Sequence, residues 1–362
     1  MFELIEKQDE LVIGVFGVGG CGCNTINSIY ENDRNHHVNF YCINTDKVVL
    51  NHTQSDESVL IGEQLTHGYG AGADPAVGLL AAQESEAQLI GLIQKCDILL
   101  CAAGFGGGTG TGASPYIAKL AQEHNKPVIG IATLPFSSEG EFRRQIAQEG
   151  LDEFKQYANA VVTLPNDKLI EVLGSDVGLF DAFKHSNQLL HSLIVALIDM
   201  LCHQGLINID LKDFVRVMDA KGDAVLCVGK CNEESDLQRT LEQTLTNPLI
   251  SSVDMSTSTG AIIQINCKEE ISLGSYDLIS STVCQKVSPS ALIICGVSKL
   301  EKLQSNYEIL VIATGAKPNS YLQDDEKCGA TEQRDIQKQQ KKDDILDIPT
   351  FFRKQSPAPT SK

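Results

Sequence analysis

The sequence has little positive charge. Its 29 Lys and Arg residues are outnumbered by 47 Asp and Glu residues, which gives a net charge of −18. Nucleic acids and anionic membranes both attract basic protein surfaces. The charge therefore opposes nucleic-acid binding and direct attachment to a membrane, and we expect no nucleic-acid partner.

Long apolar runs are also missing. No run reaches the roughly 20 residues that span a bilayer, and the most apolar stretch, at 189–201, is interrupted by His191, Ser192 and Asp199. The opening MFELIEKQDE lacks the basic and apolar segments of a signal peptide. We expect a cytoplasmic protein without membrane insertion, whose cysteines are reduced.

Paired metal-ligand spacings are absent as well. The chain has 12 cysteines, but the close pairs Cys21/Cys23 and Cys227/Cys231 have no matching second pair. Zinc sites usually show such pairs. We therefore predict no metal-binding residues and interpret most cysteines as small buried apolar side chains.

Strand and helix patterns alternate through the first half of the chain. Buried strands are predicted at 11–18, 38–43, 97–103, 127–133 and 160–164, with helices between them, one starting at Cys23 and another at Pro115. This alternation is typical of a mostly parallel sheet covered on both faces. The predicted fold class is α/β.

A long helix is predicted next, at 176–202. The residues of its main stripe recur in alternating steps of four and three, so they share one face of the helix, and this pattern predicts burial between two domains. The residues of the stripe are Phe183, Asn187, Leu190, Ile194, Leu197 and Leu201. Strands at 261–267, 291–297 and 309–315 indicate a second, smaller α/β domain. The predicted limits are 1–175 for a nucleotide-binding domain, 176–213 for the central helix and the loop after it, 214–315 for the second domain, 316–343 for a disordered linker and 344–362 for a tail.

Two glycine-rich loops each follow a strand and precede a helix. The first, at 17–22, fits G-x-G-x-x-G, and by itself it suits a dinucleotide-binding enzyme with Asp46 on the ribose. The second, at 104–112, holds further glycines with Thr109 and Thr111. Glycine lets backbone N–H groups approach phosphate oxygens, and a helix N-terminus adds positive potential. Two such loops favour a triphosphate, and the G-x-x-x-x-G-K-[ST] motif of P-loop proteins is absent.

Five short motifs match the pattern of a known protein family. GGGTGTG at 106–112, GVGGCGCN at 17–24 and NTD at 44–46 resemble the tubulin/FtsZ family, and LPNDKLI at 164–170 with GLINID at 205–210 is similar to its FtsZ branch. The resemblance covers 11–315 and resumes at 344–355. It implies a GTPase that uses GTP with Mg²⁺ and polymerises head to tail into the filaments of the bacterial division ring at mid-cell.

The resemblance also implies a nucleotide site. Its residues wrap the phosphates, contact the ribose and read the guanine. They are Gly20, Cys21, Gly22, Cys23, Asn24, Asn44, Asp46, Gly106, Gly107, Gly108, Thr109, Gly110, Thr111, Glu139, Arg143, Asn166, Phe183 and Asn187. Phe183 and Asn187 lie one helical turn apart, where a ring can stack on a purine and an amide can pair with its edge. From the stripe alone, the favoured interpretation of Asn187 is an amide that forms hydrogen bonds inside the helix packing interface.

The catalytic residues implied by the resemblance are Asn208, Asp210 and Asp213. In the family this loop enters the site of the next subunit and helps to polarise the attacking water. Without the resemblance, these residues would be interpreted as ordinary helix caps, which Asn and Asp often provide after a helix.

Several residues depart from the family pattern. Cys21 and Cys23 stand in a loop that is often all glycine, and a positive φ would strain a cysteine there. Ser138 stands where an aromatic residue is frequent, and Lys184 and His185 replace small residues beside the base site.

The tail carries an apolar island, DILDIPTFFRKQ at 344–355. An apolar segment after a polar linker suits a docking peptide. It is similar to the family's C-terminal peptide, which binds membrane-tethering division proteins of the FtsA and ZipA type.

Two other functions remain open from the sequence. One is an NAD-linked oxidoreductase built on the first loop, and the other is a non-hydrolysing filament regulator. The presence of Asn208, Asp210 and Asp213 opposes the second.

Overall fold

A computed structural model describes residues 11–32, 38–174, 176–202, 205–220, 223–246, 253–300, 303 and 305–318. The tail peptide and most of the linker expected from the sequence lie outside these residues. In the first half the elements are β1 (Ile13–Val18), α1 (Gly19–Asn32), β2 (Val38–Asn44), α2 (Lys47–Asn51), β3 (Glu57–Leu60), α3 (Glu63–Thr66), α4 (Pro75–Glu84), α5 (Glu86–Ile93), β4 (Ile98–Gly104), α6 (Thr109–Glu123), β5 (Val128–Leu134), α7 (Glu141–Tyr157), β6 (Ala160–Pro165) and α8 (Asp167–Leu173).

The second half begins with the longest described helix. Its elements are α9 (Leu179–Cys202), α10 (Leu211–Met218), β7 (Asp223–Cys231), α11 (Leu237–Leu245), β8 (Val253–Asp254), β9 (Gly260–Cys267), α12 (Leu273–Cys284), β10 (Leu292–Lys299) and β11 (Tyr307–Pro318). The sequence patterns missed strands β3, β7 and β8. Strands β3 and β8 are too short for a clear pattern, with four and two residues.

One sheet runs through both halves, in the order β10-β9-β11-β7-β6-β5-β4-β1-β2-β3, with β8 paired to β11. The strands from β6 to β3 are all parallel, and β11 runs antiparallel to β7 and β9. The halves join where β6 pairs in parallel with β7, at Val161↔Asp223 and Val162↔Ala224. The mostly parallel α/β fold is therefore confirmed, while the exact domain limits stay a prediction.

The parallel strands are buried because helices cover both faces. All six residues of β1 are buried, as a parallel strand between two helical layers requires. One apolar cluster lies between the sheet and helices α1 and α9, and another lies under α4, α5, α6 and α7. A third cluster forms the core of the second half, around α11 and α12.

Helix α9 is only partly buried. Ile194 and Leu197 are fully buried, whereas Phe180 and Phe183 near its start are 91% and 41% exposed. The expectation of burial between two domains therefore describes the C-terminal half of this helix. Its N-terminal half stays open to a ligand at the carboxyl edge of the sheet.

Candidate functional site

The two glycine-rich loops lie side by side at the carboxyl edge of the sheet. Strands β1 and β4 are adjacent and in register, with Val18 opposite Ala103. The loops that follow are in contact, since a Cβ built on Gly19 would lie 3.0 Å from the nitrogen of Gly110. The parallel pairing thus brings the N-termini of α1 and α6 to one place.

Both helices begin earlier in the chain than the sequence indicates. Helix α1 starts at Gly19 rather than Cys23, and α6 starts at Thr109 rather than Pro115. Glycine has poor helix propensity, which hides these starts from a sequence pattern. The first-turn N–H groups of a helix have no partner within the helix, so these glycine-containing turns present free donors suited to phosphate.

The space around the glycines shows where a ligand fits. A Cβ on Gly22 would lie 2.3 Å from the Ala102 carbonyl, and one on Gly110 would lie 2.4 Å from the Gly104 carbonyl. A Cβ on Gly20 or Gly107 would meet nothing within 4 Å. The first two glycines allow close packing of the loops, and the other two border open space above them.

Cys21 and Cys23 occupy the first loop without backbone strain, which corrects the expectation from the sequence. Within this loop only Gly19 has a positive φ, of 73°. The Cys23 thiol donates towards the Gly17 carbonyl at 3.6 Å. Burial raises the pKa of Cys21, an effect that its hydrogen bond with Thr133 partly opposes. Cys21 therefore stays neutral and adds no negative charge beside a phosphate.

The two threonines of the second loop help to hold it in shape. The Thr111 hydroxyl accepts a hydrogen bond from the Gly106 N–H at 2.9 Å, and Gly106 has a φ of +97°. The Thr109 hydroxyl lies 2.7 Å from that of Thr45. A Cβ on Gly108 would lie 2.7 Å from the Ala71 side chain, so this glycine allows close packing against the segment 70–74.

That segment was missed by the sequence reasoning. It reads GAGAD, with positive φ at Gly70, Gly72 and Ala73. Gly72 borders open space. The alternation of Gly68, Gly70 and Gly72 is the sequence signal that could have identified this third loop beside the site.

Asn44 and Asp46 follow β2 at the same edge. The Asn44 side-chain oxygen accepts from the Asp46 N–H at 3.2 Å. The Asp46 carboxylate accepts from the N–H groups of Val48 and Val49 and caps α2. Asp46 therefore serves as the cap of α2. This structural role is separate from the ribose contact that an NAD enzyme would make with an acidic residue at this position.

The pair Glu139 and Arg143 lies near the second loop. The Arg143 guanidinium donates to Glu139 at 2.6 Å, and Glu139 also accepts from the Phe136 N–H at 2.9 Å. A Cβ on Gly106 would lie 3.2 Å from the Arg143 carbonyl. The guanidinium remains half exposed, so it can turn towards a phosphate.

The start of α9 lies against the loops after β5 and β6. The ring of Phe183 meets that of Phe136 edge to face, with centroids 5.5 Å apart. Ser186 donates to the Asn166 side-chain oxygen at 3.3 Å. Asn187 is half-buried on the same part of the helix, and Asn24 is exposed on α1. The residues proposed to read the base thus lie at the same edge of the sheet as the glycine loops.

The predicted catalytic loop lies at the other end of α9. Ile207 pairs with Val297 of β10, and Ile209 is buried, which leaves Asn208, Asp210 and Asp213 exposed. Asp210 caps α10 by accepting from the Asp213 N–H at 2.7 Å. From Phe183 to Cys202 the helix rises roughly 28 Å. The structure therefore does not bring this loop to the nucleotide residues of its own chain.

Two family models match the chain. The Tubulin/FtsZ family GTPase domain matches residues 12–174, and the FtsZ family C-terminal domain matches residues 222–317. The chain belongs to the FtsZ family. It is accordingly a filament-forming GTPase of cell division, and GTP is its nucleotide.

Relatives agree with this assignment. The cell division protein FtsZ of Buchnera aphidicola (subsp. Schizaphis graminum) is 30% identical, over 98% of this chain and 100% of its own length. FtsZ 1 of Methanocaldococcus jannaschii is 34% identical, over 87% of this chain and 86% of its own. A solved FtsZ dimer from M. jannaschii superposes with a TM-score of 0.79 at 34% identity, over 85% of this chain and 89% of that one. The oxidoreductase interpretation receives no support.

No helix in the described ranges is long and apolar enough to cross a bilayer. Within the same residues, no group of three or more His, Cys, Asp or Glu could hold a metal ion.

Proposed function

We propose that GTP bound at the two glycine loops is hydrolysed by Asn208, Asp210 and Asp213 of the neighbouring subunit in the filament. The observation that carries this proposal is the separation of the two sets of residues along α9. Because the helix rises roughly 28 Å between them, one subunit cannot complete the site alone. In a head-to-tail filament, the loop end of one subunit meets the nucleotide end of the next.

The chemistry suits the exposed side chains of the loop. Phosphoryl transfer depends mainly on positioning and on offsetting charge. Asp210 and Asp213 are carboxylates that can orient a water molecule, and the Asn208 amide can donate to or accept from it. The N-termini of α1 and α6 offer N–H groups and positive potential to the phosphates, and Arg143 adds a cation.

Mg²⁺ fits this arrangement as a partner of the phosphates. Mg²⁺ is usually bound by substrate phosphates, water and one or two carboxylates rather than by a cage of protein ligands. When bound, the ion would offset phosphate charge.

The tail would connect the filament to the membrane. Its peptide at 344–355 lies outside the described residues and carries the apolar side chains Ile345, Leu346, Ile348, Phe351 and Phe352. These suit docking to membrane-tethering division proteins of the FtsA and ZipA type. Such partners would bring the filament to mid-cell without membrane insertion of this chain.

The test of hydrolysis between subunits is a dilution series of the full chain with GTP and Mg²⁺. Phosphate release per molecule is measured together with light scattering. We expect activity per molecule to rise above a threshold concentration, at the point where scattering begins. Constant activity per molecule down to concentrations without assembly would show that each subunit hydrolyses GTP alone.

A further inference from the structure

The loop at 205–210 rests on strand β10 at two points. The backbones of Ile207 and Val297 exchange two hydrogen bonds, of 3.2 Å and 3.0 Å. Gly205 lies against the next residue of the strand, since a Cβ at position 205 would be 2.4 Å from the Ser298 hydroxyl oxygen. A side chain at this position would push the loop away from the strand. The placement of the loop therefore depends on Ser298 and on the strand that carries it.

A buried amide fixes Ser298 from the neighbouring strand. Gln264 of β9 is 2% exposed, and its side-chain nitrogen donates to the Ser298 hydroxyl oxygen and to the Asn266 side-chain oxygen, both at 2.9 Å. A primary amide has two N–H donors, which match these two acceptors. Asn266 and Ser298 are buried as well. Since buried polar groups are costly unless they are hydrogen-bonded, this network favours one arrangement of the two strands.

The same side chain borders the other end of the loop. Gly296 pairs with Gln264 across the two strands. A Cβ on Gly296 would lie 2.1 Å from the Gln264 side-chain oxygen and 2.9 Å from Cδ1 of Ile209. Ile209 is buried, and it stands directly before Asp210 in the chain. Gln264 and Ile209 thus share the space that the missing side chain of Gly296 leaves free.

Asn208 is connected to this network through Gly205. The Asn208 side-chain oxygen accepts a hydrogen bond from the Gly205 N–H. Gly205 in turn lies against Ser298, to which Gln264 donates. A continuous series of contacts therefore leads from a buried amide inside the second half of the chain to an exposed side chain of the loop.

We propose that Gln264 is a positioning residue for GTP hydrolysis. It fixes the orientation of Asn208 and Asp210 by holding the strand beneath their loop. The inference rests on the proposed function, in which this loop acts on the nucleotide of the neighbouring subunit. Phosphoryl transfer depends mainly on positioning, and a displacement of roughly 1 Å can slow a reaction about a hundredfold.

Gln264→Met tests this inference, because methionine is also long and unbranched but has no N–H donor. Phosphate release is measured per sedimented subunit over a range of GTP concentrations, so that loss of folded or assembled protein does not enter the rate. We expect kcat to fall roughly ten- to hundredfold with KM for GTP unchanged. Ser298→Ala should have the same effect. The double variant should be no slower than either single variant, because both changes break one network.

Ile265→Val is the matched control. Ile265 is the buried neighbour of Gln264 on the opposite face of β9, in the core of the second half. Its shortening removes buried apolar contact but should leave kcat at the wild-type value. A fall in kcat as large as that of Gln264→Met would show that any loss of packing in this strand slows hydrolysis, and it would overturn the proposal.

Two further outcomes separate this inference from the proposed function. If Asp210→Asn is slow but Gln264→Met and Ser298→Ala both retain wild-type kcat, the positioning role is wrong and the proposed function stands. If Asp210→Asn itself hydrolyses GTP at the wild-type rate, the proposed function is wrong. Should Gln264→Met fail to fold, Ser298→Ala, which removes a single oxygen atom, decides the question by the same criterion.

Discussion

Gly107 and Gly110 lie three residues apart in the second glycine-rich loop, but their surroundings differ. A Cβ at position 110 would press on the Gly104 carbonyl, whereas one at 107 would enter open space. We expect Gly110→Ala to lower the free energy of unfolding by about 1–3 kcal/mol through overpacking. Chemical denaturation without nucleotide measures this change.

Gly107→Ala is the matched variant. It should leave the free energy of unfolding within about 0.5 kcal/mol of wild type, as for a surface substitution. Its methyl group should instead weaken GTP binding in a titration, because it occupies space that phosphate oxygens would use. Wild-type GTP affinity in Gly107→Ala would contradict the assignment of this space to the nucleotide.

Asp210 has a structural contact in addition to its proposed catalytic role. Its carboxylate caps α10, and loss of a cap costs about 0.5–2 kcal/mol. Asparagine caps a helix as well as aspartate but carries no charge. We expect Asp210→Asn to keep the stability and GTP binding of wild type and to hydrolyse GTP slowly.

Asp210→Ala separates the two contributions further. It should hydrolyse GTP as slowly as Asp210→Asn while also losing stability in chemical denaturation. If Asp210→Asn retained full phosphate release under assembly conditions, the cap would be the sole function of Asp210.

Helix α9 connects the nucleotide end of the molecule to the loop end. Ile194 is fully buried in the cluster that also contains Ile26 of α1 and Leu310 of β11. We expect Ile194→Ala to destabilise the chain by about 2–5 kcal/mol, because it leaves a cavity among residues from both halves.

Ser192→Ala is the control for this prediction, because Ser192 is exposed on the same helix. It should change the free energy of unfolding by less than about 0.5 kcal/mol in the same measurement. A loss from Ile194→Ala as small as that of Ser192→Ala would mean that α9 does not tie the two halves together.

The molecule as a whole consists of one compact unit, Met1–Pro318, followed by the segment Asn319–Lys362. The nucleotide residues and the catalytic loop all lie in the first unit. We therefore expect deletion of residues 344–362 to leave GTP hydrolysis and light scattering unchanged. Binding to membrane-tethered division proteins, measured by co-sedimentation with vesicles that carry them, should be lost.

The deletion of residues 356–362 is the control for this truncation, since it leaves the apolar island at 344–355 in place. It should retain vesicle binding. Equal vesicle binding by the longer truncation and the full chain would remove the docking role from the tail.

The sequence by itself determined the parallel fold, the family and the nucleotide. Each nucleotide-binding unit consists of a strand, a glycine-rich loop and a helix, which follow one another within about thirty residues. Their order is therefore visible in the local spacing of the sequence. The same holds for the motif at 205–210, whose residues are consecutive. Their catalytic role stays a prediction based on resemblance.

The tertiary structure determined the features that depend on contacts between residues far apart in the sequence. The helices start at Gly19 and Thr109 although the local sequence has low helix propensity there. These starts become favourable because β1 and β4 pair in register and bring the two loops into contact. The segment 70–74 reaches the site through its packing against Gly108 and through the hydrogen bond from the Gly70 N–H to the Thr45 carbonyl. The separation of Asp210 from Phe183 follows from the length of α9, which spans Leu179–Cys202. Hydrogen bonds and packing between distant segments set these positions, and no local pattern encodes them.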